Sequence, residues 1–599
     1  MKLQNVIYPS TKNCTEESLY FRRVGDVHYS LADECISMDK EAYVFFDTYF
    51  NSFSAGKWYK YTNAGQIKLQ LKVKGKLRIT LFYKEKQASQ ICTKIVDEFY
   101  CDTQEEIQEI DCTFDTEYTQ GMYAFGIYAL EDDAEFHSGF YYTEVSEALE
   151  QDVRIGIVIC TFKREKYVYK NMRMLQEAFL DNKASELYEN LEVIISDNAH
   201  SLDRSQIENQ KIHIFENKNV GGAGGFTRGL IESMRLSGKR PFTHVLLMDD
   251  DVVIQPESIY RTYTLLKLLK PEYKDTYIGG AMLRTDLQWF QTEAGGIWNA
   301  GRLISHKSGL DLRSLDACLY NEFEEKCEFN AWWYCAIPMQ FVREDNLPLP
   351  IFIRGDDVEY GLRNMKHLIL MNGICVWHEP FEFKYSSSMY YYIFRNRLID
   401  NAVRELRYSG KEFLKEFASQ YFREIFLLRY KNARLLLEGA NDFLKGVDWL
   451  KGQDGEALNK EIMGKGYKLQ FVDELEAPFT YPAYEQTLRF RDTDNRKMQW
   501  KRRVTLNGLF CKENRYAIVP VNDCCVGQFY KVGTALNYDL SSKKGFVTYR
   551  SRKEMLQLVK EYRKLCKAVK KNYNKVVAEF RNRKEEITNI QFWKEYLKI

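Results

Sequence analysis

The sequence has no surplus of charge of either sign and no long apolar run. Lys and Arg number 85 and Asp and Glu number 84, which excludes the basic excess typical of nucleic-acid-binding proteins. Apolar segments such as VRIGIVICTF fall short of the roughly 18 residues that a membrane-spanning helix needs. The start, MKLQNVIYPS, has neither a basic apolar leader nor a small-residue cleavage site, so we expect no secretory signal.

Paired CxxC motifs are also lacking, although the chain has 14 cysteines. This excludes the usual spacing of a structural zinc site, and scattered cysteines are typical of free thiols in a reducing compartment. We therefore expect a cytoplasmic protein. At 599 residues the chain exceeds what one hydrophobic core usually supports, so about three domains are predicted.

The apolar pattern changes twice along the chain and divides it into three predicted domains of a multidomain α/β protein. Residues 1–150 contain alternating segments such as QIKLQLKVKGKLRITLFYK, which predict an antiparallel β-sandwich of jelly-roll type. Residues 151–388 alternate short apolar strands with helical stretches, which indicates βαβ units and a mostly parallel sheet. Residues 389–599 are predicted to be mainly helical, with no assignment for 470–550.

The last fifty residues form a basic amphipathic tail. Residues 551–599 hold 14 Lys or Arg and 6 Asp or Glu, and apolar residues recur at three- and four-residue steps. The apolar stripe either packs on the helical domain or lies in a membrane interface, where basic helices bind anionic lipid. The sequence leaves peripheral contact with the inner face of the cell membrane open, and homo-oligomer formation as well.

The first chemical motif is HVLLMDDDVVI, an apolar strand that runs into Asp249, Asp250 and Asp251. Three carboxylates at a strand end repel one another unless a cation neutralises them. Their hard oxygen ligands suit Mg²⁺ or Mn²⁺, which commonly bind through carboxylates and substrate phosphates. The alternative is a solvated acidic turn, but the preceding strand is apolar enough to be buried.

A glycine-rich turn, NVGGAGGFTRGL, stands before a predicted helix. Its glycines permit unusual φ angles and a close approach of the backbone, and the free N–H groups of the helix start could face an anion. A purely structural turn is the alternative. The glycine-rich segment is not a phosphate-binding P-loop, because no GK[ST] follows it.

The segment IFIRGDDVEYGLR places Asp356 and Asp357 where a helix is predicted to begin. One of them could be the N-cap of that helix, but this does not explain two carboxylates with Glu359 close behind. A carboxylate among like charges at a metal–nucleotide site suits a general base.

Two aromatic-rich segments complete the set. His378 ends the apolar strand ICVWH, where a lone histidine is more often structural than a metal ligand. Trp332 and Trp333 follow Asn330, and adjacent residues of a strand face opposite ways, so at least one indole is expected to line a cleft.

In this order the motifs resemble those of family 2 glycosyltransferases of the GT-A fold: CTFKR, SDN, N-x-GG-x-GG, DDD, WW, DD-x-E and WH. More narrowly, the chain is similar to bacterial galactofuranosyltransferases of the mycobacterial galactan polymerase type. TYFNSFSAGKWYKYT in the β region is similar to the N-terminal sandwich of that type. The resemblance covers residues from about 40 to 410.

The resemblance implies a role for each motif residue in an inverting transfer of galactofuranose from UDP-galactofuranose to a cell-surface glycan or lipid-linked glycan. Asp357 would be the base. The metal ligands would be Asp249, Asp251 and His378. The donor-binding residues would be Arg164, Asp197, Asn219, Gly221, Gly222, Asp249 and Asp250. The acceptor-binding residues would be Trp332, Trp333, Glu293 and Asp356.

Three alternatives stay open. Another family 2 transferase would use a different UDP- or dTDP-hexose, and a nucleotidyltransferase would share the Asp-rich metal site but form pyrophosphate. A non-catalytic polysaccharide-binding protein would explain the 15% aromatic content and the β region, but not the DDD, DD and WH motifs.

Overall fold

The chain folds into a mixed α/β structure with several sheets and many helices. The computed structural model describes all residues except 104–105, 116–117, 237, 239, 300, 382–384, 405–407, 476, 490–495 and 514. No helix in this described part is both long and apolar enough to cross a membrane.

The described residues up to Thr143 form two antiparallel sheets. In chain order the elements are β1 (Lys2–Asn5), β2 (Arg22–Val24), β3 (Val27–Ser30), β4 (Cys35–Met38), β5 (Tyr43–Phe45), α1 (Ala55–Tyr61), β6 (Ile67–Lys74), β7 (Lys76–Gln87), β8 (Gln90–Asp102), β9 (Gln108–Thr113), β10 (Met122–Ala129) and β11 (Ala134–Thr143). The first sheet has the order β3-β4-β11-β6-β9, with β1 beside β11, and the second has the order β2-β5-β10-β7-β8.

The two sheets pack face to face through aromatic side chains. Phe46 and Phe125 are stacked with ring centroids 4.3 Å apart, and Phe136 of the first sheet lies 4.9 Å from Phe46. Alternating residues of β6 and β7, such as Leu69 and Ile79, are fully buried between the sheets. The period-two pattern therefore predicted both the strands and their inner faces.

A large mixed sheet follows, in which four of the nine described strand pairings are parallel, so the expectation of a mostly parallel sheet was wrong. Its elements are β12 (Ile155–Thr161), α2 (Glu165–Leu175), β13 (Leu191–Asp197), α3 (Arg204–Ile207), β14 (Ile212–Glu216), α4 (Gly221–Leu236), β15 (His244–Asp249), β16 (Val253–Ile254), α5 (Pro256–Leu268), β17 (Tyr277–Arg284), β18 (Phe290–Glu293), β19 (Gly296–Asn299), β20 (Arg302–Ser305), β21 (Leu310–Asp311), α6 (Leu315–Glu322), β22 (Cys335–Pro338), α7 (Asp356–Asn364) and β23 (Leu368–His378).

The strand directions of this sheet bring the polar motifs to one edge. The order is β14-β13-β12-β15-β22-β17-β18-β21, and β23 pairs with β17. β12 to β15 are parallel to one another, as are β17 and β23, whereas β22 is antiparallel to both β15 and β17. Asp197, Asp249 and His378 therefore end strands at the same edge, where ligands bind in sheets of this kind.

The sandwich is attached to the central sheet through buried polar contacts on α5. Arg261 is fully buried and donates to the carbonyl of Phe50 at 2.6 Å. Glu257 accepts hydrogen bonds from the backbone and side-chain amides of Asn5, both at 2.7 Å. Because these groups are removed from water, loss of one partner would leave a costly unpaired charge or dipole.

The rest of the chain contains mainly helices and also a sheet. Its elements are α8 (Met389–Val403), α9 (Gly410–Phe426), α10 (Tyr430–Phe443), α11 (Val447–Gly452), α12 (Gly455–Lys465), β24 (Gln470–Phe471), α13 (Tyr481–Leu488), α14 (Arg496–Val504), β25 (Arg515–Pro520), β26 (Val532–Asp539), β27 (Lys544–Tyr549), α15 (Arg552–Arg583), α16 (Glu585–Thr588) and α17 (Ile590–Leu597). The sheet, of order β24-β27-β26-β25, lies in the segment that the sequence left unassigned.

The apolar stripe of the tail packs inside the protein. Leu558, Leu565, Val569 and Phe580 of α15 are almost completely buried, and α15 contacts α8, α9 and α10. The structure therefore shows the packing alternative, in which the stripe is covered by other helices.

Candidate active site

Three side chains with metal-binding atoms meet at the edge of the central sheet. Asp249 ends β15, Asp251 lies in the turn after it, and His378 ends β23. Their donor atoms all lie within 4.8 Å of one another, and His378 Nε2 is 3.3 Å from Asp251 Oδ1. The sheet thus brings together residues that are more than a hundred positions apart in the sequence.

The chemistry and spacing of this cluster fit a divalent cation. A small cation ~2.1 Å from each ligand holds ligand atoms up to about 4.2 Å apart. Only small side-chain movements therefore separate the observed cluster from one that surrounds a cation. The His378 side chain is buried, and its Nδ1 has no hydrogen-bond partner among the described residues. Carboxylates suit Mg²⁺ and Mn²⁺, and the imidazole adds a nitrogen ligand, so the set fits a divalent cation.

Asp250 is outside this group of three. It lies between Asp249 and Asp251, and burial raises the pKa of its carboxyl to about 7, with the neighbouring charges of Asp251 and Asp249 adding to the effect. The middle residue of the motif therefore has surroundings different from those of its two neighbours.

The glycine-rich motif starts helix α4, and most of its glycines are needed for packing. Gly221 has φ +74°, and a Cβ there would lie 2.1 Å from the carbonyl oxygen of Phe352. A Cβ on Gly225 would lie 2.0 Å from the sulfur of Cys160 on β12. Gly222 is different, because its nearest contact would be Asp356 Oδ2 at 3.7 Å, so this position faces the cleft described below.

Arg164 and Asp197, two of the predicted donor-binding residues, lie in different surroundings. Arg164, at the start of α2, has NH2 3.7 Å from Asp251 Oδ2. The Asp197 carboxylate accepts backbone N–H bonds from Ala199, Ser201 and Leu202 at 2.7–3.0 Å. Asp197 therefore closes the turn after β13, and a donor contact would have to share that carboxylate. Asn219 Oδ1 accepts from the N–H of Gly221 at 3.3 Å.

A cleft of about 760 Å³ lies beside the cluster. Its lining brings together half of the residues singled out from the sequence: Gly222, Asp249, Glu293, Trp332, Trp333, Asp356 and Asp357. Burial raises the pKa of Glu293 to about 7, and the negative charge of Asp357 adds to this. The cleft is therefore rich in carboxyl groups and has an indole wall.

The tryptophan pair does not follow the strand geometry expected from the sequence. Trp332 and Trp333 lie in a turn before β22 rather than on a strand, and both contribute to the lining of the cleft. The Trp333 indole donates to the carbonyl of Gly280 at 3.0 Å, and Trp332 packs edge-on against Phe226. Both side chains are held in place, with only small areas exposed.

The helix α7 begins at Asp356, and its N-cap is Gly355 with no side-chain capping bond. The idea that one of the two aspartates caps this helix is therefore wrong. Asp357 Oδ1 accepts the N–H of Val358 at 2.8 Å. Burial raises the pKa of Asp357, and it raises the pKa of Asp356 to about 8 together with the charge of Asp357. Glu359 is paired with Arg363 at 2.8 Å instead.

Sequence reasoning missed Asp400 and Arg354. Asp400 of α8 is 1% exposed and lines the cleft, and its Oδ1 has no partner among the described residues. Its Oδ2 would lie 2.4 Å from a Cβ on Gly355, and burial together with the charges of Glu359, Asp357 and Asp356 raises its pKa far above the usual value. The one available signal was an acidic residue on the buried face of an amphipathic helix.

Arg354 lies in the strained turn that precedes α7. Its φ is +67°, its guanidinium lies 4.9 Å from the Phe381 ring centroid, and its charge lowers the pKa of both Glu293 and Asp357 against the effect of burial. Asn396 holds the turn by donating to the carbonyls of Ile353 and Arg354 at 2.6 and 2.8 Å.

Comparison with known proteins shows that this chain is similar to galactofuranosyltransferases. Residues 3–144 match the family model described as "Galactofuranosyltransferase 2 N-terminal". The chain is 23% identical over 444 residues to galactofuranosyltransferase GlfT2 of Mycobacterium tuberculosis, a match that covers 69% of this chain and 67% of the relative. The corresponding protein of Mycolicibacterium smegmatis is 24% identical over 450 residues, with 69% and 66% covered.

A solved structure was also matched, at lower similarity. It is the mannosyltransferase PcManGT from Pyrobaculum calidifontis in complex with GDP-Man and Mn²⁺, with 11% identity and a TM-score of 0.28. The match covers 52% of this chain and 80% of that one. Similarity at this level does not establish a shared fold.

Proposed function

We propose that the chain is an inverting galactofuranosyltransferase that moves galactofuranose from UDP-galactofuranose to a hydroxyl of a glycan acceptor. The observation that carries the proposal is that Asp249, Asp251 and His378 meet beside the cleft that contains Asp357. The names of the two relatives support the sugar and the reaction. We also propose three domains: a sandwich (1–150), a GT-A catalytic domain (151–388) and a mainly helical domain (389–599).

Asp249, Asp251 and His378 would hold Mn²⁺ or Mg²⁺. A divalent cation at this place supplies positive charge next to the diphosphate of the leaving UDP. Arg164 is 3.7 Å from Asp251, so its guanidinium is near the same charge and can bind a phosphate oxygen. Asn219 and Gly222 offer backbone N–H groups to an anion at the start of α4. Gly221 forms the turn between them, with its N–H bonded to Asn219 Oδ1, and Asp197 and Asp250 complete the proposed donor side.

Asp357 would be the general base. It takes the proton of an acceptor hydroxyl while the oxygen attacks the anomeric carbon and the bond to UDP breaks, so the configuration inverts. Because burial raises its pKa, the ionised Asp357 is a stronger base than an exposed carboxylate. The N–H of Val358 holds one of its oxygens.

The acceptor would lie along the indole wall of the cleft. Trp332 and Trp333 offer apolar surface to a sugar ring, and Glu293 and Asp356 offer hydrogen-bonding oxygens. Asp400, whose Oδ1 is buried without a described partner, is a further candidate for a sugar hydroxyl. A lipid-linked glycan would fit the same requirements, because only the terminal sugar has to enter the cleft.

The proposal is tested by a panel of UDP- and dTDP-sugars with Mn²⁺ and a simple galactoside acceptor. We expect UDP release with UDP-galactofuranose to exceed that with UDP-galactopyranose and UDP-glucose by at least tenfold. Equal or faster release with another donor would replace galactofuranose by that sugar. Pyrophosphate as the product would point to nucleotidyl transfer and overturn the proposal.

A further inference from the structure

The outer surface of the second sandwich sheet carries aromatic side chains that the proposed reaction does not use. Tyr43 of β5, Tyr128 of β10, Arg78 of β7 and Tyr100 of β8 are successive partners across four strands. Phe45 and Phe82 lie beside this row, on the same side of the sheet. We refer to Tyr43, Phe45, Phe82, Tyr100 and Tyr128 as the aromatic face.

The rings at the centre of the aromatic face lie close to the sheet. A Cβ on Gly126 of the central strand would come within 2.7 Å of the Tyr43 ring, so the absence of a side chain there lets this ring lie over the backbone. The centroids of Tyr43 and Phe45 are 3.9 Å apart, and those of Phe45 and Phe82 are 6.4 Å apart. The rings of Tyr43, Phe45 and Tyr128 therefore form a connected group that rests on the sheet, with Tyr43 and Tyr128 edge to face and Phe82 almost buried.

Polar groups lie between the rings, and their charges are paired. Arg78 lies 3.8 Å from Glu98 and 4.9 Å from the Tyr128 ring centroid, and Thr80 donates to Glu98 at 3.1 Å. Lys84 and Arg22 both pair with Asp47. The Arg78 Nε is buried, so this atom is not itself open to a ligand. The face therefore combines aromatic rings with charged groups that are all paired.

We propose that the aromatic face binds a neutral oligosaccharide. Sugar rings have apolar C–H faces that pack on aromatic rings and hydroxyl edges that reach groups such as Arg78 and Glu98. The row from Tyr43 to Tyr100 crosses three strand spacings, ~14 Å, which suits several linked sugars rather than one. Because its charges are paired, the face complements a neutral polyol and lacks the basic surplus that anionic lipid or nucleic acid requires.

This site is separate from the cleft, so it goes beyond the proposed transfer reaction. A second glycan site would keep a long chain on the enzyme while its end is in the cleft, and the local concentration of acceptor would rise. Short acceptors cannot reach both places and would gain nothing from it.

The test is binding of a galactofuranose octasaccharide to the full chain, without donor or metal. Isothermal titration gives the affinity, and hydrogen exchange locates the protected strands. We expect protection of β5 and β7, and binding weaker by on the order of tenfold in the Tyr43→Ala, Phe45→Ala double variant. Tyr100→Ala, which removes a 68% exposed ring on an edge strand without touching the core, should weaken binding about threefold.

The matched control is Tyr549→Ala on β27, where the tyrosine is 65% exposed; we expect wild-type binding. Protection confined to the cleft, or unchanged affinity in Tyr100→Ala, would overturn the inference. So would a concentration-dependent sedimentation of the wild type that the Tyr100→Ala variant loses, because the face would then be a contact between copies. Turnover of a disaccharide acceptor separates the two proposals: turnover without octasaccharide binding refutes only this one.

Discussion

Replacement of Asp357 by asparagine tests the assignment of the base. Asparagine keeps the size of the side chain and its oxygen can still accept the N–H of Val358, 2.8 Å away in the wild type. The local fold of α7 should therefore survive. Asp357 is not one of the three side chains whose donor atoms lie within 4.8 Å, so donor affinity should change by no more than a few-fold.

The expected loss follows from the chemistry that remains. Loss of a general base typically reduces the rate by about 10²–10⁴-fold, which corresponds to ~2.7–5.4 kcal/mol of transition-state stabilisation. Steady-state kinetics should therefore show a lower kcat at nearly constant donor KM. The wild-type rate should rise with pH through the raised pKa of Asp357, because the base acts only when ionised, and this rise should be missing in the variant.

Asp356→Asn is the matched control. It makes the same carboxylate-to-amide change in the neighbouring residue, on the same helix turn, and we expect a smaller loss of kcat with the acid limb of the pH profile preserved. An inactive Asp356 variant beside an active Asp357 variant would show that the two roles are reversed. A large increase in donor KM for Asp357→Asn would show that Asp357 binds the donor instead.

Three further predictions concern the cluster, the cleft and the glycine-rich helix. Asp251→Ala should abolish transfer as EDTA does, whereas His378→Ala should keep partial activity that high Mn²⁺ restores; full activity after EDTA treatment would contradict both. Burial raises the pKa of Asp356 to about 8, so this group binds more protons in the folded state than in the unfolded state, and its contribution to stability falls as pH rises from about 4 to 8. Asp356→Asn should therefore raise the Tm more at pH 8 than at pH 5, and an equal change at both values would refute that reasoning. Gly225→Ala places a Cβ 2.0 Å from the Cys160 sulfur and should destabilise the protein by ~1–3 kcal/mol in denaturant titration, whereas an unchanged midpoint would show that α4 can shift.

Sequence patterns predicted the strands and the edge of the central sheet well because burial leaves a strong periodic signal. The apolar runs before Asp249 and His378 are buried strands that end at one edge. The places of individual residues in the turns next to these strands and helices were harder to predict. The N-cap of α7 is Gly355, and Trp332 and Trp333 lie in a turn, because backbone conformation there depends on tertiary contacts rather than on periodicity.

Residues contributed by distant packing could not be predicted. Asp400 enters the cleft from α8, whose sequence shows only an amphipathic helix, and Arg354 is held by the carbonyl contacts of Asn396. The small sheet in residues 470–549 was also missed, since its strands β24 to β27 are short and separated by helices and loops. The packing of the tail was one of two alternatives, and only the contacts of α15 with α8 to α10 decide between them.

The central claim is a single displacement at one site made by the metal-binding cluster and Asp357. It is tested most directly by the configuration of the product. We expect NMR of the glycoside formed from UDP-galactofuranose and a simple galactoside acceptor to show a galactofuranosyl unit with anomeric configuration opposite to that of the donor. A product that retains the donor configuration would contradict the account, as would no transfer by the Mn²⁺-loaded protein.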